Sequence, residues 1–267
     1  MICSKFGIHP KSIYKDKGPR TFYKKSSDSQ VLTQINAIIS LRPTYGYKRV
    51  TAMVNKLRKS LGYNKVNKKR IYRIMKINGL LLPKSIVNRT HKPTGKVMTL
   101  HSNTRWCSDC FEIKCFNGEK VYVSFVIDSC DREVISFIAK KEPLLADDIE
   151  RLMISSVKAR FRAFKTPRQI EFLSDRGSIY RAVSVQDIAR TLGLKSCYTA
   201  AYSPESNGMS EALVKTIKRD YVYNNDCYSA SVVLKMLNGW FKDYNEEAPH
   251  SALGMKSPKE YLLANQR

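Results

Sequence analysis

Apolar residues recur at helical spacing along the first third of the chain. Val31, Leu32, Ile35, Ile38 and Ile39 share one face of a helix that Ser27 or Asp28 can cap and Pro43 ends. Val50, Met53, Val54, Leu57 and Leu61 repeat the pattern between Gly46 and Gly62, with Lys48, Arg49, Lys56, Arg58 and Lys59 on the other faces. A third helix starts near Asn67, turns Ile71, Ile74 and Met75 inward, and leaves Lys68, Lys69, Arg70, Arg73 and Lys76 largely free. Asn78-Gly79 is its C-terminal stop. Three short helices with a basic last one fit a helix-turn-helix, whose last helix enters the major groove. A generic basic three-helix bundle has the same spacing.

From Pro83 to Leu100 the pattern lapses into polar residues with Pro93 and Gly95, which reads as a linker. Beyond it the period becomes that of strands. Trp106–Cys115 and Val121–Ile127 flank an Asn117-Gly118 hairpin turn, and Glu133–Ala139 makes a third strand. Ala146–Phe161 is helical, with Ile149, Leu152, Met153, Val157 and Phe161 on one side. A short buried strand, Ile170–Leu173, ends at Ser174-Asp175-Arg176-Gly177. A helix over about 184–192, a strand near Cys197, and helices over about 207–224 and 229–244 follow. Three antiparallel strands followed by alternating helices and strands predict an α/β mixed sheet, the order of RNase H-like nucleases. The expected division is a basic helical module over 1–82, a linker over 83–100 and an RNase H-like domain with a helical tail over 101–267.

Charge sharpens this division. The chain of 267 residues carries a formal net charge of +24. Its first hundred residues hold 23 Lys and Arg against two acids, Asp16 and Asp28, so nearly all the excess lies there. Each phosphate that such residues neutralise releases condensed counterions, which makes nucleic acid the natural partner. A solubilising basic face or a tail that touches membranes has the same charge, but here the charge lies on predicted helices. An apolar fraction of 43% suffices for a packed core. The best apolar run, Val31–Leu41, is interrupted by Thr33, Gln34 and Asn36, so no segment suits a membrane span. The N-terminus lacks the apolar stretch of a secretory signal. Seven scattered cysteines, an odd number, favour reduced thiols in the cytoplasm over a disulfide frame.

Three carboxylates stand out by position. Asp109 lies within the first strand of the α/β domain, and Asp175 sits at the end of the fourth, where ligands gather in open α/β sheets. Glu211 falls in the first turns of a helix after the polar loop Ser203-Pro-Glu-Ser-Asn-Gly208. Acids from three separate elements can converge on hard divalent ions such as Mg²⁺. Singly, each has an ordinary reading: a turn residue at Asp175, a first-turn acid favoured by the helix dipole at Glu211. Lys215 and Lys218 share the Glu211 face of the helix, which suits a DNA end laid along it; a solvated Glu–Lys face has the same spacing.

These residues resemble a known family. Arg105-Trp-Cys-Ser-Asp109, Leu173-Ser-Asp-Arg-Gly177 and Glu211, with Lys218 seven residues on, are similar to the motifs of DDE-type transposases and integrases. Pro43-Thr-Tyr-Gly-Tyr-Lys-Arg49, Lys69-Arg-Ile-Tyr-Arg-Ile-Met75 and Gly79-Leu80 resemble the helix-turn-helix of the second-reading-frame product of the insertion-sequence-three family, in particular its insertion-sequence-two subgroup. Tyr244-Asn245, Pro249-His-Ser-Ala-Leu-Gly254 and Ser257-Pro258 match a signature that follows that catalytic core. The resemblance covers nearly the whole chain. It implies that Asp109, Asp175 and Glu211 bind two Mg²⁺ ions, with Mn²⁺ as a substitute. They would nick DNA at an element end and join the freed 3′ hydroxyl to a target. Lys215, Lys218 and Arg219 would hold the DNA end; Lys48, Arg49, Lys68, Lys69, Arg70 and Arg73 would bind DNA through the basic helices. The resemblance also implies a homo-oligomer on DNA and a frameshift fusion with a first-frame product, whose coiled coil has no heptad counterpart here.

Other features take plainer readings. Cys107 and Cys110 flank Asp109 without a second metal-ligand pair and are expected to pack. His91 and His101 have no cysteine pair beside them, so a zinc module is not expected. His250 is expected to serve as a structural hydrogen-bonder, Trp240, Phe241 and Tyr244 as core, and Asp128 and Asp131 as turn residues. Two rival functions share the main features: an inactive DNA-binding regulator, and an RNase H-like nuclease that cuts without joining.

Overall fold

The first helix, α1 (Asp28–Leu41), buries Val31, Ile35 and Ile38. Helix α2 (Tyr47–Ser60) buries Val50 and Val54, and α3 (Lys68–Ile77) buries Ile71, Ile74 and Met75. These are the positions that the 3.6-residue period selects. The Asn67 side chain caps α3 by accepting the Lys69 N–H at 2.9 Å. One expectation fails here: Arg58 is not on an outward face. It is 9% exposed, donating to the Asn64 carbonyl at 2.7 Å and to Gln34 Oε1 at 3.1 Å. Gly62, at φ +74°, turns the chain back after α2 and brings that carbonyl within reach.

The computed structural model describes residues 27–83, 99–199 and 208–265. The chain divides into two compact units, one of residues up to Leu41 with Gly46–Leu82, the other of Arg42–Tyr45 with Pro83–Arg267. The expected linker lies outside the described residues over 84–98, and the loop before Glu211 over 200–207.

In the second unit, β1 (Arg105–Lys114), β2 (Lys120–Asp128) and β3 (Val134–Lys140) form an antiparallel meander. Gly118, at φ +86°, makes the first of its turns. Strands β4 (Ile170–Ser174) and β5 (Leu194–Tyr198) add in parallel, giving the order β3-β2-β1-β4-β5. Alternation along the strands feeds two cores. Trp106, Val126 and Phe172 pack against α4 (Ala146–Phe161), α5 (Ser178–Arg181) and α6 (Val183–Leu192). Cys107, Phe111, Ile113 and Phe125 pack on the other face against α7 (Gly208–Asp220) and α8 (Ala230–Glu246). Trp240, Phe241 and Tyr244 belong to that second core. The result is the RNase H-like mixed sheet covered by helices on both faces.

Three details differ from the sequence reading. The four-residue α5 precedes α6, and the helix expected to run to residue 224 stops at Asp220 before a 3₁₀ turn, Val222–Asn224. A last helix, α9 (Pro258–Asn265), follows the tail signature. The signature itself closes on a backbone bridge between His250 and Lys256, with Gly254 at φ +65° and the His250 ring 4.6 Å from that of Tyr244.

Candidate active site and nucleic-acid interface

Asp109 sits in mid-strand on the face of the sheet that α7 covers. Its carboxylate accepts the Cys110 N–H at 2.8 Å, and its carbonyl accepts the Ser124 hydroxyl at 3.1 Å. Burial pushes its pKa up to about 6, against the lowering hydrogen bond from Cys110, and the charges of Asp175 and Glu211 push the same way. Asp109 thus feels the charge of both other acids. Asp175 follows β4 and accepts the Gly177 N–H at 3.0 Å. A Cβ at position 177 would lie only 3.0 Å from Asp175 Oδ1, so glycine is what lets this turn fold over its own carboxylate. Glu211, in the first turn of α7, pairs with Lys215 at 3.2 Å.

Among the described residues, no three His, Cys, Asp or Glu side chains stand close enough to hold a metal ion together. The donor set nonetheless fits a hard divalent cation. Asp109 is partly buried and repelled by the other two acids, which a cation would relieve, and all three offer the oxygen ligands that Mg²⁺ prefers.

The cations expected near this site differ from one another. Lys215 is exposed and pairs with Glu211; Lys218 lies with its Nζ 5.9 Å from the centre of the Phe111 ring. Arg219 is not a free cation. It donates to both oxygens of Asp220, at 2.6 and 2.8 Å, and that carboxylate is itself buried.

The basic helices require a similar correction. Lys48, Lys68 and Lys69 are exposed, while Arg49 is half-buried. Arg70 and Arg73, expected to be largely free, both turn onto Asp28 at the start of α1, at 2.7 and 2.5 Å. Asp28 is one of only two acids in the first hundred residues, so two guanidiniums share it. They tie α3 to α1. Changing Lys69 to Ala is expected to lower the slope of DNA affinity against salt by about one counterion and to leave stability within ~0.5 kcal/mol. Arg70→Ala is expected to cost about 1–2 kcal/mol of stability instead, since it removes charge-assisted hydrogen bonds. Anisotropy titrations at several salt concentrations, with urea unfolding alongside, separate the two; equal salt slopes for both variants would contradict the assignment.

Two polar clusters were not anticipated. Tyr180, 3% exposed on α5, brings its hydroxyl to Ser108 Oγ at 2.8 Å, Ser124 Oγ at 3.1 Å and Cys110 Sγ at 3.4 Å. Asp128 and Asp131, both fully buried, do serve the β2–β3 turn: Asp128 accepts the N–H groups of Asn103 and Cys130 at 2.6 and 2.7 Å. They also surround Arg160 of α4, which pairs with Asp131 and Glu133 and stands 3.5 Å from Asp128. Burial first, then the neighbouring Asp131, push the Asp128 pKa up to about 6. Neither cluster has a local signature, since each gathers side chains from distant parts of the chain. Cys107 packs in the core as expected, and the six described cysteines are free thiols.

Sheet order and helix placement define an RNase H-like, integrase-core type of fold with a separate compact unit of basic helices. Comparison with known proteins agrees. The chain matches an Integrase core domain family over residues 100–204, a second Integrase core domain family over 192–258, and an HTH-like domain over 26–85. It is 42% identical over 243 residues to the transposase InsD for insertion element IS2A/D/F/H/I/K of Escherichia coli, covering 90% of this chain and 80% of that one. The InsD transposase for IS2D of Escherichia coli strain K12 gives the same figures. The chain belongs to the InsD transposase family of IS2 insertion elements. The fold is also seen in the simian T-cell lymphotropic virus intasome, solved with the PP2A regulatory subunit B56 gamma, at a TM-score of 0.51 and 15% identity, covering 81% of this chain and 75% of that one. No described helix is long and apolar enough to cross a membrane.

Proposed function

We propose that Asp109, Asp175 and Glu211 carry the chemistry of this transposase as a DDE-type polynucleotidyl transferase, and that they do so with two Mg²⁺ ions, Mn²⁺ serving as a substitute. The observation that carries the reading is the raised Asp109 carboxyl, half-withdrawn from water and repelled by the other two acids. When bound, the ions would supply charge stabilisation to the attacking and leaving oxygens of an in-line phosphoryl displacement. Asp109 contributes a rigid oxygen, fixed by the strand and by the Cys110 N–H. Asp175 is set by the Gly177 turn, and Glu211 rides on α7, where it pairs with Lys215.

The reaction balances without an external energy source. In cutting, a water oxygen bonds to phosphorus, the bond to the 3′ oxygen breaks, and that oxygen gains a proton. In joining, the 3′ hydroxyl forms the new phosphodiester as a target strand's bond to its own 3′ oxygen breaks. Lys215 and Lys218 hold the DNA backbone beside the acids, while Lys48, Arg49, Lys68 and Lys69 bind duplex phosphates. Arg70, Arg73 and Arg219 act by holding Asp28 and Asp220 rather than by direct contact. The boundaries proposed are 1–82 for the DNA-binding module, 83–100 for the linker and 101–267 for the catalytic domain; the break between the compact units at Leu82 supports the first. Two ends must be cut and joined together, which favours a homo-oligomer on DNA. The working enzyme is a fusion with the first-frame product, in the cytoplasm.

The test uses a plasmid bearing the element with its upstream frame. Amplification across abutted element ends should yield a junction with the native protein and none with Glu211→Gln. A junction from both would remove Glu211 from the chemistry; nicked ends without any junction would favour a nuclease.

A further inference from the structure

On the face of the sheet that meets α5, where Trp106, Val126 and Phe172 are apolar, the polar groups include Ser108, Cys110 and Ser124. All three belong to the central strands β1 and β2, and both serines are wholly buried. Burying two hydroxyls costs free energy unless both are hydrogen-bonded, and Ala or Val would fill the same space without that cost. One group satisfies all three, the Tyr180 hydroxyl. Ser124 then connects onward, donating to the backbone carbonyl of Asp109 at 3.1 Å. On the other side, Tyr180 lies just after the Asp175-Arg-Gly177 turn, on a helix only four residues long. The Tyr198 hydroxyl fastens that helix from β5 by donating to the Tyr180 carbonyl at 3.2 Å.

An unbroken path of hydrogen bonds and backbone therefore runs from the Asp109 carbonyl through Ser124 and Tyr180 to the turn that bears Asp175. Apolar contacts alone would let so short a helix slide, because they have no direction; a hydroxyl bonded on several sides fixes position. We propose that Tyr180 is a positioning residue of the transposase site, setting the separation of Asp109 and Asp175 through Ser108 and Ser124 without touching DNA or metal. This rests on the reading of those two acids as metal ligands.

The test is Tyr180→Phe in the full chain, with Ser124→Ala and Asp109→Asn beside it. Phe keeps the ring and its packing and removes only the hydroxyl. Binding of Mn²⁺ alone, followed by electron paramagnetic resonance of the free ion, should weaken about tenfold in Tyr180→Phe and in Ser124→Ala. The double variant should be no worse than the poorer single one, as members of one path are not additive. DNA affinity in chelator should not change. Unaltered Mn²⁺ binding in Tyr180→Phe, with binding lost in Asp109→Asn, would overturn the proposal and leave the acid assignment standing. Unaltered binding in Asp109→Asn would overturn the acid assignment itself. If Tyr180→Phe melts early, the measurement is repeated well below its melting temperature, and Mn²⁺ binding at the native level there counts against the proposal.

Discussion

Asp109→Asn is expected to lower both cutting and joining of element ends by at least about a thousandfold, some 4 kcal/mol of lost transition-state stabilisation. The amide keeps the shape of the side chain but brings no charge to a divalent cation. Duplex affinity measured in chelator should be unchanged, because the basic helices lie in the other compact unit. Stability should not fall either. The carboxyl is pushed up to about 6 mainly by burial, so at neutral pH the folded protein holds a charge it would hold more cheaply in water. The neutral amide removes that strain. Oligonucleotide cleavage and strand-transfer assays, run with thermal melting, check both halves; a variant keeping a tenth of native activity would exclude Asp109 from the reaction.

Arg160→Met should have the largest effect on stability. The guanidinium is almost fully enclosed and faces Asp128, Asp131 and Glu133, the first two wholly buried. Removing it leaves carboxylates in the interior without a cation, a loss of about 3–5 kcal/mol. For a unit of this size that is a fall of roughly 10 °C in melting temperature. The loss should depend on pH in a stated direction. Asp128 has a folded pKa raised to about 6, above its unfolded value, so it favours the fold while protonated and ceases to as pH rises through 6. Arg160 lowers the pKa of Asp128 and of Glu133, so without it both hold protons more firmly still. The variant should therefore approach the native protein near pH 5 and diverge from it at pH 7 and above. Melting curves across that range decide it; a deficit independent of pH would mean that lost packing, not lost charge compensation, is the cause.

Features encoded by neighbours in the chain were the legible ones. Helix α4 runs over Ala146–Phe161 as its periodic apolar residues require, and the Asn117-Gly118 turn joins β1 to β2 because glycine takes its positive φ without strain. Asp175 and Glu211 could be singled out because one ends a strand and the other begins a helix, whereas Asp109, in mid-strand, stood out only by its place in the first strand of the α/β domain. What could not be read was pairing across distance. Arg70 and Arg73 look like solvated charges on a helix until α1 brings Asp28 to them. Arg58 looks outward-facing until the turn after Gly62 returns a carbonyl to it. Helix α5 is too short to show a period, and its importance lies in one hydroxyl that meets residues of two other strands. Helix α9 has little apolar asymmetry to betray it, so Ser257-Pro258 was legible only as a motif.

The sheet order has a consequence for the protein's synthesis. The meander β1–β3 can close as soon as it leaves the ribosome, because its partners are adjacent in sequence. Strand β1 gains its parallel neighbour β4, and with it Asp175, only after the intervening helix α4 has been made, and Glu211 emerges later still. The basic helices, whose contacts are local, are complete long before. A polypeptide released early by premature termination would keep those helices and lack the full acid set, so truncation would turn the enzyme into a competitor for its own binding sites.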